Sequence, residues 1–251
     1  DAYTMTEAVK DGITVNLVYD GRAAKVMLNQ DKVRQIEEYY AQCELEGANE
    51  HQIEESQKAV AKMEVIIGDP DRLRAVAEDF IKHYETRVAE GATVAGKAMF
   101  VCSNRNIAYD FYKIVKELRP EWTEKKICDD GVVLSEKDKK ELKPMEKIKL
   151  VMTRNKDDEK DLFDMLGTKE DRKEFDRQFK NPKSNFKIAI VVDMWLTGFD
   201  VPELDTIYID KPIQQHTLIQ TISRVNRVCE GKDKGLIVDY IGIKKNMNTA
   251  L

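Results

Sequence analysis

Five short apolar segments constrain what this chain can fold into. They are Ala98–Cys102, Ile148–Met152, Ile188–Val192, Thr206–Ile209 and Gly235–Tyr240, and helical patterns separate most of them. Runs this short that are apolar throughout are typical of strands buried on both faces. Such strands alternating with helices predict an α/β fold, in which helices flank a parallel sheet.

The N-terminal part of the chain has a different pattern of apolar residues. Alternation over Ile13–Tyr19 predicts a strand, and spacings of three and four predict a helix over Asp31–Met63. Asp69 before Pro70 predicts the start of a second helix that runs to about Ala89. We therefore expect two parts: residues 1–92, a strand plus a helical segment, and residues 93–251, which contain the sheet.

Two later segments complete the predicted architecture. The charged stretch Glu121–Lys147 has few apolar residues and predicts a solvated insertion. Arg172–Phe179 predicts a helix with Phe175 and Phe179 facing inward.

Composition narrows the class of protein. The chain has 251 residues, 42% of them hydrophobic, and no apolar run approaches the roughly 18 residues of a membrane span. The start, Asp-Ala-Tyr-Thr, resembles neither an initiator nor a signal peptide, so we expect a piece of a longer cytosolic protein. Four scattered cysteines without CxxC spacing predict free thiols, and three scattered histidines predict no metal site. The net charge of −5 does not exclude nucleic acid, because binding depends on local patches.

Gln220, Arg224 and Arg227 are the first candidate site. Their spacing of four and three would place them on one face of a helix, with Leu218, Ile222 and Val225 on another face. Two arginines on one surface suit phosphate charge, although surface arginines often form ordinary ion pairs. No acid lies between Lys211 and Val228 to pair with them locally.

The turn Trp195-Leu-Thr-Gly-Phe-Asp-Val-Pro202 is the second candidate. Gly198 allows a positive φ or a close backbone approach. The turn could simply connect two strands, with Asp200 as its capping acid. Alternatively, Thr197 and the Gly198 amide face a phosphate, and Asp200 orients an arginine or a ribose.

Polar residues just beyond the predicted strands form the third candidate. In open parallel sheets, ligands gather at the carboxyl ends of the strands. Ser103 and Arg105 follow one strand and Thr153 follows the next. Ser103 could cap the following helix, or the two residues could bind phosphate at its N-terminus. Thr153 has the same two interpretations.

These segments, in this order, resemble a known class of motor protein. Val101–Arg105, Val191–Asp200 and Gln220–Arg227 resemble motifs IV, V and VI of superfamily 2 helicases and translocases. The residues within and around these motifs resemble the motor (R) subunit of type I restriction endonucleases more closely still. The matching segments are Asp193–Asp200, Tyr208–Pro212, Ile222–Arg227, Gly235–Gly242, Glu7–Gly12, Tyr19–Arg22 and Pro120–Trp122. The resemblance covers nearly the whole chain and identifies the second of two RecA-like (P-loop NTPase-like) motor lobes.

The resemblance implies roles for the candidate residues. ATP would lie between two lobes, with its phosphates and Mg²⁺ held mainly by the first lobe. Arg224 and Arg227 would reach across the cleft, Gln220 would sense the γ-phosphate, and Gly198 with Asp200 would link the nucleotide to DNA. The sugar–phosphate backbone would be gripped by Ser103, Arg105, Thr153 and Thr197.

The resemblance also implies partners. They are double-stranded DNA, the methylase (M) and specificity (S) subunits, and the first motor lobe and nuclease domain of the same longer chain. The 251 residues lack the Gly-x-x-x-x-Gly-Lys-Ser/Thr and Asp-Glu-x-His patterns of the first lobe and the nuclease motif, so we expect this lobe to be inactive alone. The alternatives are the second lobe of another superfamily 2 DNA helicase, or a non-catalytic RecA-like binding module.

Overall fold

The computed structural model describes residues 5–26, 31, 34–36, 38, 60–213 and 215–243. The strands within them are β1 (Asn16–Gly21), β2 (Ala98–Cys102), β3 (Ile148–Val151), β4 (Ile188–Val191), β5 (Thr206–Asp210) and β6 (Lys234–Asp239). The helices are α1 (Met5–Lys10), α2 (Ala23–Val26), α3 (Pro70–Ala89), α4 (Arg105–Leu118), α5 (Glu136–Glu141), α6 (Lys160–Leu166), α7 (Lys169–Lys180) and α8 (Gln215–Ile222). Residues 60–67 are also helical, whereas most of the predicted helix Asp31–Met63 lies outside the described residues.

All the strands belong to one parallel sheet in the order β1-β6-β5-β2-β4-β3. The five strands predicted from the apolar segments are confirmed. Every residue of β2, β3, β4 and β5 is buried, so both faces of these strands are covered. Because the strands are parallel, their carboxyl ends meet along one edge, where the candidate side chains follow the strands.

Helix α3 begins where the sequence predicts. The Asp69 side chain accepts a hydrogen bond from the backbone N–H of Arg72 at 3.1 Å, and Pro70 occupies the first turn. This cap satisfies an N–H that the helix itself leaves unpaired. The apolar face packs inward through its buried residues Leu73, Val76, Phe80 and Tyr84. Phe80 lies edge-on to Phe100 of β2 and Tyr208 of β5.

The N-terminal segment contributes to the same sheet. Strand β1 starts three residues later than the predicted strand and pairs with β6 along its whole length. The fully buried Arg72 of α3 donates to both carboxylate oxygens of Asp210 at the end of β5, and also to the carbonyl oxygen of Tyr240. The division of the chain at residue 92 stays a prediction.

The segment predicted as a solvated insertion is more ordered than its charge indicates. Helix α5 has no buried residue, in keeping with the prediction. However, Lys126 and Met145 form an antiparallel bridge, and Trp122, Leu142 and Met145 are buried. A few widely spaced apolar residues therefore anchor this charged stretch to the core. Helix α7 is confirmed, with Phe179 fully buried and Phe175 partly buried.

Candidate functional site

The arginine segment does not follow the predicted helical geometry. Helix α8 ends at Ile222, so Arg224 lies in the turn beyond it and Arg227 lies in an extended stretch that bridges to Thr14. The prediction that both arginines share one helix face with Gln220 is wrong. The turn continues with backbone bonds from Arg224 to Thr221 and from Val225 to Ile222, three residues back rather than four. The prediction of an inward face holds: Leu218, Ile222 and Val225 are buried.

The structure nevertheless brings Arg224 and Arg227 to the glycine turn. The Arg224 guanidinium donates to the carbonyl oxygen of Phe199, to that of Gln220 at 3.1 Å and to the Ser223 hydroxyl at 3.0 Å. The Nε atom of Arg227 lies 3.3 Å from a carboxylate oxygen of Asp200. Of the two interpretations of Asp200, the contact with an arginine is the one that the geometry supports.

The two arginines differ in charge environment. Burial lowers the pKa of Arg224, and the neighbouring positive charge of Arg227 lowers it further. The contacts described for its guanidinium are with neutral oxygen atoms. Arg227 and Asp200 are both exposed, with 52% and 61% of their side chains accessible. An anion arriving here would meet two adjacent guanidinium groups and a single carboxylate.

Aromatic rings pack against the glycine turn, residues 195–202. Gly198 has a φ of +66°, as the sequence predicts, and Trp195 has a φ of +67°, which is uncommon for a residue with a Cβ atom. The Trp195 and Phe199 rings are stacked with centroids 4.2 Å apart, and Phe179 and Phe186 pack around Trp195. This packing compensates for the strained backbone. The role of Trp195 was not predicted, although an aromatic residue three positions before the glycine is visible in the sequence.

The strand-end residues form a second cluster. Arg105 donates to the carbonyl oxygen of Thr153 at 2.6 Å and to both carboxylate oxygens of Asp158 at 2.6 and 2.7 Å. Asp158 also accepts from the backbone N–H of Asn155 at 2.7 Å, and its pKa is lowered, because these hydrogen bonds outweigh the effect of burial, which raises it. Asp158 was not predicted as a site residue. A carboxylate three residues after Asn155 can accept a hydrogen bond from the Asn155 backbone N–H, and this spacing is visible in the sequence.

Ser103 does not cap helix α4. The capping side chain is that of Asn104, which accepts from the backbone N–H of Ile107 at 3.0 Å. The Ser103 hydroxyl oxygen is shielded from solvent and has no hydrogen-bond partner in the described part of the chain. Thr153 and Thr197 are exposed.

Lys211 and Gln220 lie beside these clusters. Lys211, just past β5, donates to the carbonyl oxygen of Val192 and to the carboxylate of Asp193 at 2.6 Å. It therefore ties the ends of β4 and β5 together. Gln220 is half-buried near the end of α8, where its carbonyl oxygen holds Arg224. The contact of Gln220 with nucleotide, like the nucleotide and DNA contacts of the other candidate residues, stays a prediction.

Metal sites and membrane-spanning helices were also sought among the described residues. Among them, no cluster of three or more histidines, cysteines or carboxylates is arranged to hold a metal ion. None of the helices described is both long and apolar enough to cross a bilayer.

Comparison with known proteins shows which proteins the chain is similar to. The family model described as type I restriction enzyme subunit R domain 3 matches residues 94–242. The endonuclease subunit of the type I restriction enzyme HindI from Haemophilus influenzae is 36% identical over 251 residues, which is 99% of this chain and 21% of that subunit. A subunit assigned to the type I restriction enzyme MjaIXP of Methanocaldococcus jannaschii is also 36% identical, over 100% of this chain and 21% of its own length.

The fold has a solved counterpart. A fragment assigned to the HsdR subunit of a type I restriction enzyme from Vibrio vulnificus YJ016 superposes with a TM-score of 0.54 at 12% identity, over 96% of this chain and 35% of that one. This likeness bears on the fold, a RecA-like lobe with one parallel sheet. The chain spans about a fifth of the length of the two curated relatives. It belongs to the family of type I restriction enzyme R subunits.

Proposed function

We propose that this chain is the second RecA-like lobe of an ATP-driven DNA translocase, the R subunit of a type I restriction–modification enzyme. In this proposal the lobe supplies Arg224 and Arg227 to an ATP site that it completes with a first lobe elsewhere in the longer protein. The observation that carries the proposal is the joint contact of both arginines with the glycine turn, through the Phe199 carbonyl and the Asp200 carboxylate.

The state of each arginine suits this role. Phosphoryl transfer depends on positioning and on neutralising charge, so a cation serves best when it is held in place but not neutralised by the protein. Arg224 is held by neutral oxygen atoms, and Arg227 by one contact of 3.3 Å with an exposed carboxylate. Both guanidinium groups therefore keep donors and charge for phosphate oxygens.

The residues present fit ATP from one side only. ATP, with Mg²⁺, would supply the phosphoryl group to be transferred. In this chain Arg224 and Arg227 would neutralise phosphate charge, Gln220 would lie close to the terminal phosphate, and Gly198 with Asp200 would connect this site to DNA. A phosphate cradle and ligands for the metal ion would come from the first lobe.

DNA would lie across the strand ends. The exposed hydroxyl groups of Thr153 and Thr197 would donate to phosphate oxygens at this edge of the sheet. Ser103, whose hydroxyl is enclosed, and Arg105, which is paired with Asp158, would contact DNA only after these contacts open. Such contacts bind without regard to sequence and weaken as salt rises. Recognition of a particular site would belong to the specificity subunit, and DNA modification to the methylase subunit.

The test is DNA-stimulated ATP hydrolysis by the complete subunit carrying Arg227→Ala. We expect kcat to fall by about 10³-fold or more, the range known for arginines that act on phosphoryl transfer. Arg74→Ala is the matched control, because Arg74 is a similarly exposed arginine that pairs with Glu78 and Glu117 on the helical surface. Normal hydrolysis by the Arg227→Ala subunit would refute the assignment of the arginine.

A further inference from the structure

The backbone of β6 lies directly against the backbone of the arginine segment. A Cβ atom built at Gly235 would stand 2.3 Å from the carbonyl oxygen of Val225 and 2.9 Å from its carbonyl carbon. Distances this short do not occur for real Cβ atoms, and a backbone carbonyl cannot turn away as a side chain can. Glycine within a strand often marks such a close approach of another backbone. The contact falls one residue after Arg224 and two before Arg227.

Residues ahead of β1 hold the same segment from a second direction. The backbone N–H of Val15 donates to the carbonyl oxygen of Asn226 at 2.8 Å, and Thr14 forms an antiparallel bridge with Arg227. Strand β1 then continues alongside β6, with Leu17 directly opposite Gly235. Thr14 and Val15 precede the region that matches the family model, which begins at residue 94.

The approach at Gly235 and the hydrogen bond from Val15 constrain consecutive residues. The Val225 carbonyl group lies in close contact with β6, and the Asn226 carbonyl oxygen accepts a hydrogen bond from Val15. The backbone on the N-terminal side of Arg227 therefore has little freedom to shift. Arg224 lies on the other side of Val225, within a turn whose backbone bonds run to Thr221 and Ile222. The segment is thus fixed by the sheet and by the N-terminal chain, not by a helix.

We propose that Gly235 and Val15 are positioning residues that set where Arg224 and Arg227 stand. Gly235 allows the arginine segment to seat against β6, and the N–H of Val15 fixes the register of that segment. The consequence for catalysis rests on the proposed function of the arginines, whereas the seating itself does not. Thr14 and Val15, just before β1, are then part of the support of the site, although they lie far from the arginines in sequence.

The first test is Gly235→Ala in the complete subunit. The added methyl group displaces the arginine segment, so we expect kcat for DNA-stimulated ATP hydrolysis to fall on the order of 10²-fold, as for an ångström-scale misplacement. KM for ATP stays within about twofold, because only interactions of the transition state are lost. Amide hydrogen exchange should accelerate over residues 223–229 and remain unchanged in the central strands.

Gly21→Ala is the matched control. Gly21 lies in β1, beside the same partner strand, but the three atoms nearest to a Cβ atom there all belong to the Tyr19 side chain, at 3.0 to 3.4 Å. We expect its kcat to stay within about twofold of the unmodified subunit. Unchanged kcat and unchanged exchange over residues 223–229 in Gly235→Ala would overturn the inference.

A second pair of variants decides the question if Gly235→Ala does not fold. Val15→Pro removes the N–H that bonds Asn226, at a position just before β1 where proline is tolerated. Val15→Ala also shortens the side chain but keeps the N–H. Loss of kcat in Val15→Pro with activity retained in Val15→Ala supports the inference, and equal activity in the two variants contradicts it.

The two proposals fail in different ways. Normal hydrolysis by Arg227→Ala, together with accelerated exchange over residues 223–229 in Gly235→Ala, would refute the catalytic role and leave the seating intact. Loss of hydrolysis in Arg227→Ala, with Gly235→Ala indistinguishable from the unmodified subunit, would refute the seating and leave the catalytic role intact.

Discussion

Arg105 and Arg227 carry the same guanidinium group in opposite surroundings. Arg105 is 26% exposed and bonds both oxygens of Asp158, which is itself only 7% exposed. Arg227 is 52% exposed and makes one contact of 3.3 Å with a carboxylate that is equally open to solvent. The first arginine is neutralised and fixes the loop after β3. The second keeps most of its capacity to bind an anion.

The interactions that hold the region around Arg105 also differ from those that hold the region around Arg227. The Arg105 cluster is held by charge-assisted hydrogen bonds, which are roughly twice as strong as neutral ones. The turn that contacts Arg224 and Arg227 is held by stacked aromatic rings and by backbone contacts. We therefore expect truncation of an aromatic ring to damage the second region most, and truncation of the arginine to damage the first.

The largest effect is expected for Trp195→Ala. Trp195 is buried against Phe179, Phe186 and Phe199, and replacing a buried tryptophan by alanine costs about 3–5 kcal/mol. Urea denaturation of the chain measures the change in the free energy of unfolding. Trp195→Phe keeps an aromatic ring at this position and should lose much less. An equal loss in both variants would show that the stacking does not support the turn.

The next effect is expected for Arg105→Ala. It removes the partner of the nearly buried Asp158 and one donor to the Thr153 carbonyl, so we expect a loss of about 2 kcal/mol, as for hydrogen bonds to charged groups. The same denaturation experiment measures it. A loss below about 0.5 kcal/mol would mean that Arg105 is as free as Arg227, and the contrast between the two regions would disappear.

The pH dependence sharpens the same contrast. Because the folded chain lowers the pKa of Asp158, its contribution to stability is fully present above the unfolded pKa of about 3.9 and is lost as pH falls through the folded pKa. The stability gap between the unmodified chain and Arg105→Ala should therefore shrink between neutral pH and pH 3. A gap that stays constant or grows on acidification would contradict the assigned ion pair.

The smallest effect on stability is expected for Arg227→Ala. An exposed pair with one contact of 3.3 Å contributes little, so the free energy of unfolding should change by less than about 0.5 kcal/mol. The same substitution is expected to abolish ATP hydrolysis in the complete subunit. A loss above about 2 kcal/mol would reassign Arg227 to a structural role, like that of Arg105.

Local signals in the sequence were sufficient for much of the fold. The Asp69-Pro70 pair predicts the start of α3 because capping and the fixed φ of proline act within one turn. The buried strands were predictable because strands covered on both faces must be apolar throughout. The positive φ of Gly198 followed from the absence of a Cβ atom.

Neighbouring candidates of equal propensity could not be separated in this way. Ser103 and Asn104 are both good caps, and only the path of the chain out of β2 decides that Asn104 accepts the bond. Helical spacing similarly predicted a longer helix than α8. The predicted last residues lie outside the helix, where Val15 donates to the carbonyl oxygen of Asn226 and Gly235 of β6 lies against Val225. Both Val15 and Gly235 are distant in sequence.

The α/β class, the six strands, helix α3 and the segments that carry the candidate residues all follow from the amino-acid sequence, with β1 shifted by three residues. These features depend on apolar periodicity and on capping, which act over a few residues. Which arginine is neutralised and which stays exposed follows from contacts between distant parts of the chain. That outcome depends on Asp158, Asp200 and the close approach at Gly235, and these contacts arise when the parallel sheet brings distant strand ends together.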